Sequence, residues 1–257
     1  MNCNELRAYW KLEEEKGFQG WDFSYLSGRF VEQSLPWDYK KIVQTAMSNL
    51  GGDGVILDMG TGGGEFLLSL SPLAGRTHAT EAYLPNYELC KSTLPAHGIE
   101  VSLVQDDCTL PYKSHFFDLV INRHESFSVE EVYRILKPGG VFITQQVGGM
   151  NNRELSQFLL GDEGMVTDAG FNLSQTVTEL NHAGFTILKQ QEFFPTLQFI
   201  DVGSLVYFAK IIEWEFAGFS VDRCFEQLCL LQERVEQEGF VSSKEHRFFV
   251  SARKCLT

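Results

Sequence analysis

The sequence predicts an α/β protein built on a doubly wound parallel sheet, and three observations carry that expectation. The apolar run Val55-Ile56-Leu57 ends in Asp58 and passes straight into a bend with glycine at alternate positions, Gly60, Gly62 and Gly64. A run without polar interruption suits a strand buried on both faces, and glycine lets the backbone turn tightly and a ligand approach it. Strand-like and helix-like stretches then alternate through residue 144, the pattern of a parallel sheet with helices on both faces. Finally, Asp58, Glu81, Asp106 and Asn122 each stand at the carboxyl end of a strand, where open sheets of this kind bind ligands.

Taken in order, residues 1–37 do not read as part of that sheet. Leu6, Tyr9 and Trp10 share a helical face, and Glu13-Glu14-Glu15 is a solvated one. The aromatic stretch Gly20-Trp21-Asp22-Phe23-Ser24-Tyr25-Leu26-Ser27-Gly28-Arg29-Phe30 has two readings. It is either a loop stapled to the core by large side chains, or a lid in which Arg29 clamps a ligand carboxylate. Asp38 is placed to cap a helix whose face is Tyr39, Ile42, Val43, Ala46, Met47 and Leu50, stopped by Gly51-Gly52. The first strand then leads into Gly60-Thr61-Gly62-Gly63-Gly64 and a helix from Phe66. A second strand, Thr77–Glu81, ends in Glu81-Ala82, and its carboxylate can accept from both hydroxyls of a bound ribose. A helix from Tyr87 to Leu94 is closed by Pro95 and Gly98.

The third strand, 101–104, runs into Asp106-Asp107-Cys108. Adjacent acids there either meet the exocyclic amine of an adenine or simply cap a turn. The fourth strand, 117–121, is followed by Asn122-Arg123-His124-Glu125 and a helix over 129–136, which Lys137-Pro138-Gly139-Gly140 stops before a fifth strand at 141–144.

These segments resemble the class I S-adenosylmethionine-dependent methyltransferases, of the small-molecule type with motifs like those of menaquinone methyltransferases. The carriers are Leu57 through Phe66, Glu81, Leu110-Pro111-Tyr112 with Phe117-Asp118-Leu119-Val120, and Val132 through Gly140, the last being foreign to dehydrogenases with a similar glycine bend. The resemblance implies a Rossmann-like seven-stranded sheet in the order 3-2-1-4-5-7-6 with the last strand antiparallel. It places strand six at 185–193, after a helix at 174–183, and the last strand at 246–252. Gln145 to Asn151 would leave strand five as a loop over the pocket. The whole chain is then one methyltransferase domain, with an N-terminal cap over 1–37 and a helical insertion over 195–243 contributing to the substrate pocket. The implied cofactor is S-adenosylmethionine, released as S-adenosylhomocysteine. Asp58 with Gly60, Thr61, Gly62 and Gly64 would hold its methionine portion, Glu81 and Ala82 the ribose, and Asp106, Asp107 and Cys108 the adenine. Asn122 and Arg29 complete the expected contacts. His124 and Glu125 are the catalytic candidates, His124 as a general base or else as a residue that only shapes its loop.

A formal net charge of −13 argues against nucleic acid or an anionic membrane as partner. The amino terminus lacks a secretory pattern, and the six cysteines show no C-x-x-C spacing, so the expectation is a cytoplasmic monomer or homodimer with no metal. The chain also lacks the Asn/Asp-Pro-Pro-Tyr/Phe motif of amino-methylating enzymes. A small-molecule acceptor is therefore expected. An RNA or protein methyltransferase, a cofactor-binding protein that transfers nothing, and a nicotinamide-dependent oxidoreductase are the rival readings.

Overall fold

The computed structural model describes residues 2–18, 23–164 and 166–256. In chain order its elements are α1 (Cys3–Glu14), β1 (Phe30–Glu32), α2 (Tyr39–Ser48), β2 (Ile56–Met59), α3 (Glu65–Ser69), β3 (Thr77–Glu81), α4 (Leu84–Thr93), β4 (Ile99–Leu103), β5 (Phe117–Arg123), α5 (Val129–Ile135), β6 (Leu136–Val147), α6 (Arg153–Leu160), α7 (Leu173–His182), β7 (Phe185–Phe193), β8 (Thr196–Phe199), α8 (Val202–Ile211), α9 (Phe225–Glu238), β9 (Val241–Lys244) and β10 (Arg247–Lys254). They fall into two compact units. A sheet unit comprises Pro36–Val147, Asn172–Glu192 and Phe248–Thr257; an insertion unit comprises Met1–Leu35, Gly148–Phe171 and Phe193–Arg247.

In the sheet unit the strand order is β4-β3-β2-β5-β6-β10-β7, the expected order, with β10 antiparallel. Every residue of β2 is buried, as a central strand covered on both faces must be. It pairs in parallel with β3 and β5, setting Asp58 between Ala79 and Ile121. Asp38 caps α2, its carboxylate accepting the Lys41 N–H at 2.9 Å. Tyr39 and Val43 of that helix join Ile56, Leu67, Leu94 and Ile121 in one core. Asp118 fastens the amino end of the sheet: its Oδ2 accepts from the Val55 N–H at 2.8 Å and from Lys137 Nζ at 2.7 Å.

Some boundaries differ from the sequence reading. β5 runs on to Arg123, and β6 begins at Leu136 and continues to Val147, so Gln145 and Gln146 are strand residues rather than the start of a loop. The helix before β6 does stop where proline and glycine cannot continue it, but Leu136 is already extended and pairs with Phe117. A bulge between Phe117 and Leu119 then absorbs the Lys137–Gly140 segment.

The insertion unit is not wholly helical. β8 pairs antiparallel with β1 and with β9, Phe199 opposite both Phe30 and Val241. Leu197 and Phe199 point inward while Thr196 and Gln198 are partly exposed, a two-residue period too brief to stand out in sequence. Trp10, Phe199, Leu205, Phe216 and Leu228 centre its core. Tyr25 meets Tyr207 edge-on at 4.8 Å and Phe23 lies 6.2 Å from Phe208, which fits the staple reading of that loop; Gly20, Trp21 and Asp22 lie outside the described residues. All six cysteines are free thiols. Among the described residues, no His, Cys, Asp and Glu group is arranged to hold a metal, and no helix is long and apolar enough to cross a membrane.

Candidate functional site

The bend after β2 is held in a shape that glycine alone takes without strain. Gly60 and Gly64 have φ of +67° and +86°, values at which a Cβ is disfavoured. Space forbids a side chain as well. A Cβ on Gly60 would lie 2.4 Å from Cγ and 2.5 Å from Cβ of Glu125, and one on Gly64 would lie 2.9 Å from Leu94 Cδ2.

Two carboxylates flank this bend. Glu81, at the tip of β3, is 5% exposed and holds the loop directly. Its Oε2 accepts the Gly62 N–H at 2.7 Å and its Oε1 accepts the Tyr83 N–H at 2.8 Å. Each oxygen keeps a lone pair for a further donor. Asp58 is 4% exposed, and burial pushes its carboxyl up to about 7, with Thr61 and Arg123 pulling the other way. The buried Thr61 hydroxyl faces that carboxyl and makes no other hydrogen bond among the described residues. A buried carboxyl whose near neighbour is a hydroxyl fits a cationic, hydrogen-bonding group such as an amino acid's ammonium.

The acids after β4 are arranged differently. Asp106 is exposed, and its Oδ1 accepts the Cys108 N–H at 2.9 Å, forming the local turn foreseen as the simpler reading. Asp107 accepts from the Ser126 hydroxyl. Arg134 anchors the segment that follows: it donates to the carbonyls of Tyr112 at 2.8 Å and Leu110 at 3.1 Å, while Glu131 accepts the Leu110 N–H at 2.8 Å. The two motif segments are thus one tethered piece, which fixes the end of the loop bearing Asp106 to Cys108.

At the tip of β5, Asn122 is fully buried. Its Oδ1 accepts from Thr144 Oγ1 at 3.0 Å and Gln146 Nε2 at 2.6 Å, and Gln146 Nε2 also reaches the Glu125 carbonyl at 2.9 Å. The Tyr39 hydroxyl closes the network from α2, donating to the Asn122 carbonyl at 2.8 Å. Glu125 lies against Gly60, and burial, then the nearby Glu81 and Asp107, raise its carboxyl above the ordinary range. His124 has φ of +63° and is exposed, with its ring beside the Gln145 amide.

The structure therefore gathers Asp58, Gly60, Thr61, Gly62, Gly64, Glu81, Asn122 and Glu125 around one bend in the sheet unit, with Ala82 next to Glu81 in the chain. Arg29 belongs to the insertion unit, where its fork is taken by Asp201, at 2.9 and 2.6 Å, with further bonds to Glu13 and Tyr9. The clamp read from sequence is made on an internal carboxylate. Tyr39 and Arg134 escaped the sequence reading as site-shaping residues, because their partners at Asn122 and at Leu110 and Tyr112 are remote in the chain; Gln145 and Gln146 were expected there, but in a loop rather than in β6.

A mixed sheet of this order, parallel but for its last strand, is the fold of the class I, S-adenosylmethionine-dependent methyltransferases. Residues 57–144 match the family model described as a methyltransferase domain. Solved structures of the same fold include a candidate methyltransferase from Bacillus halodurans, 19% identical with a TM-score of 0.61, covering 85% of this chain and 99% of that one. An S-adenosylmethionine-dependent methyltransferase from Mesorhizobium loti is 16% identical with a TM-score of 0.50, over 86% and 100% of the two chains. A phosphoethanolamine N-methyltransferase from Haemonchus contortus, complexed with phosphomonomethylethanolamine and S-adenosylhomocysteine, is 14% identical with a TM-score of 0.51 over 86% of this chain and 53% of its own. At these identities the likeness is one of fold. No match was found among curated proteins.

Proposed function

We propose that the protein transfers the methyl group of S-adenosylmethionine to a small-molecule acceptor by in-line displacement. The observation that carries this reading is the pair of buried carboxylates, Asp58 and Glu81, on adjacent parallel strands beside the bare bend at Gly60–Gly64. S-adenosylmethionine would supply a methyl already activated by the positive sulfonium. The chain's own part is to bind, align and keep out water. Asp58 and the Thr61 hydroxyl would hold the ammonium of the methionine portion, Glu81 the ribose hydroxyls, and Asp106 the adenine amine. Glu125, with its raised carboxyl against Gly60, is the group best suited to accept a proton from an acceptor. The net charge of −13 supports a small acceptor over RNA, since a polyanion would be repelled. The Haemonchus contortus enzyme of this fold, complexed with phosphomonomethylethanolamine, is consistent with a small acceptor.

The test is release of S-adenosylhomocysteine with panels of small amines, phenols, thiols and acids set beside total RNA and total protein. Turnover with a small molecule is expected. Turnover only with RNA or protein would replace the acceptor class, and tight binding without turnover in every panel would leave a binding protein. Calorimetry adds a direct check on the site. Glu81→Ala removes a charge-assisted acceptor for the ribose and should weaken S-adenosylhomocysteine binding by about 2 kcal/mol. Unchanged affinity would take Glu81 out of the site.

A further inference from the structure

Trp37, Gln145 and His124 form a short hydrogen-bonded chain within the sheet unit. Trp37 Nε1 lies 2.8 Å from Gln145 Oε1, and Gln145 Nε2 lies 3.0 Å from His124 Nε2. An indole nitrogen can only donate, so the amide atom facing it must be the oxygen. That assignment needs no inspection of the amide itself, which is otherwise ambiguous. The Gln145 NH₂ is then the group turned toward His124. Two donors do not face each other productively. The His124 Nε2 must present its lone pair, and a neutral ring then carries its proton on Nδ1.

Several contacts hold this chain in place. Gln145 is 6% exposed, and its backbone carbonyl accepts the His124 N–H at 2.8 Å. The Trp37 ring packs against Phe249, 5.2 Å between centroids. The left-handed backbone at His124, uncommon for a residue with a Cβ, brings the ring to Gln145 although β5 has just ended.

We propose that Trp37 is a positioning residue which, through Gln145, holds His124 as the neutral Nδ1–H tautomer with its Nε2 lone pair already committed. Protonating Nε2 would set an N–H against the Gln145 NH₂. Turning the amide over would relieve that contact only by setting NH₂ against the indole N–H. One donor–donor contact results either way. In the methyltransferase reading, on which the functional weight of this inference rests, His124 is therefore not the group that takes a proton at Nε2. Glu125 is left as the proton acceptor beside the bend.

The experiment is ¹⁵N NMR of the histidine rings of the full chain without cofactor, in mildly alkaline buffer. The ring nitrogen shifts report directly which nitrogen bears hydrogen, and loss of one ring signal in His124→Asn assigns the residue. Wild-type His124 is expected to be protonated on Nδ1. In Gln145→Glu the carboxylate accepts from both neighbours, so the proton should move to Nε2. Trp37→Phe keeps an aromatic ring facing Phe249 but frees the amide to turn, and should give both tautomers in exchange. A wild-type ring protonated on Nε2, or a tautomer that either folded variant leaves unchanged, overturns the proposal. Should Gln145→Glu lose its dispersed amide spectrum, Trp37→Phe and the wild-type shifts decide. No cofactor and no turnover enter the readout, so the result stands apart from whether methyl transfer is ever observed.

Discussion

Gly60→Ala is expected to destabilise the protein by about 3 kcal/mol and to abolish measurable cofactor binding. Two costs combine. A residue with a Cβ at φ of +67° pays roughly 1–2 kcal/mol relative to glycine. The added methyl must also displace Glu125, whose Cβ and Cγ would lie 2.5 and 2.4 Å away. Moving a carboxylate tip would be cheap, but a clash at Cβ pushes on the backbone, and the Glu125 carbonyl is held by Gln146 Nε2. Such overpacking adds about 1–3 kcal/mol. If the loop relaxes instead, Gly62 is drawn away from Glu81 and the carboxylate loses one of its two backbone donors. Thermal unfolding with calorimetric titration of S-adenosylhomocysteine reads both effects. A wild-type melting temperature and wild-type affinity would mean that the bend is not the binding surface. Gly28 is the control: it also has positive φ, +75°, but nothing among the described residues lies within 4 Å of its would-be Cβ, so Gly28→Ala should show the conformational cost alone.

The contrast between these glycines marks what a sequence can and cannot reveal here. The bend itself was legible, because an apolar run, an acid and three spaced glycines are consecutive and each has a local physical meaning. The strand order followed from the family resemblance, and the acids at the strand tips followed from the boundaries of β2, β3 and β5. What lay beyond reach were contacts between residues far apart in the chain. Nothing near Gly60 announces that Glu125 will lie against it, and nothing near Trp37 announces Gln145. Glu81 was expected to meet a ribose because of its place at a strand tip, whereas its bonds to the Gly62 and Tyr83 amides depend on how the loop folds back and could not be foreseen. Arg29 shows the reverse failure. Its residue type correctly suggested a fork gripping a carboxylate, but only the fold could say that Asp201 supplies it. The small sheet of β1, β8 and β9 was missed for a different reason. Strands of three or four residues carry too few alternations to stand out against aromatic-rich surroundings.

If Asp58 meets the ammonium as proposed, it links the stability of the free protein to ligand binding, and the two should respond to pH in opposite directions. Burial raises its carboxyl from 3.8 to about 7. Below 3.8 both folded and unfolded chains hold the proton, and Asp58 imposes no penalty. Between 3.8 and about 7 the folded chain still holds it while the unfolded chain has released it, so unfolding free energy falls as pH rises through this window, by up to about 4 kcal/mol. Glu125, Glu215 and Glu245 are raised by burial as well, so the wild-type curve alone does not isolate Asp58. The difference between wild type and Asp58→Asn does. The variant should be the more stable of the two at neutral pH, with the gap closing as pH falls toward 4. Binding runs the other way. An ammonium pairs with the ionised carboxylate, so wild-type affinity for S-adenosylhomocysteine should drop about tenfold for each pH unit below 7, while Asp58→Asn binds weakly at every pH. A stability gain and an affinity loss in one variant are expected where a fold keeps a destabilising charge for its ligand. Calorimetry and chemical denaturation across pH check the pair. Wild-type affinity that does not vary with pH would mean that no cation meets Asp58.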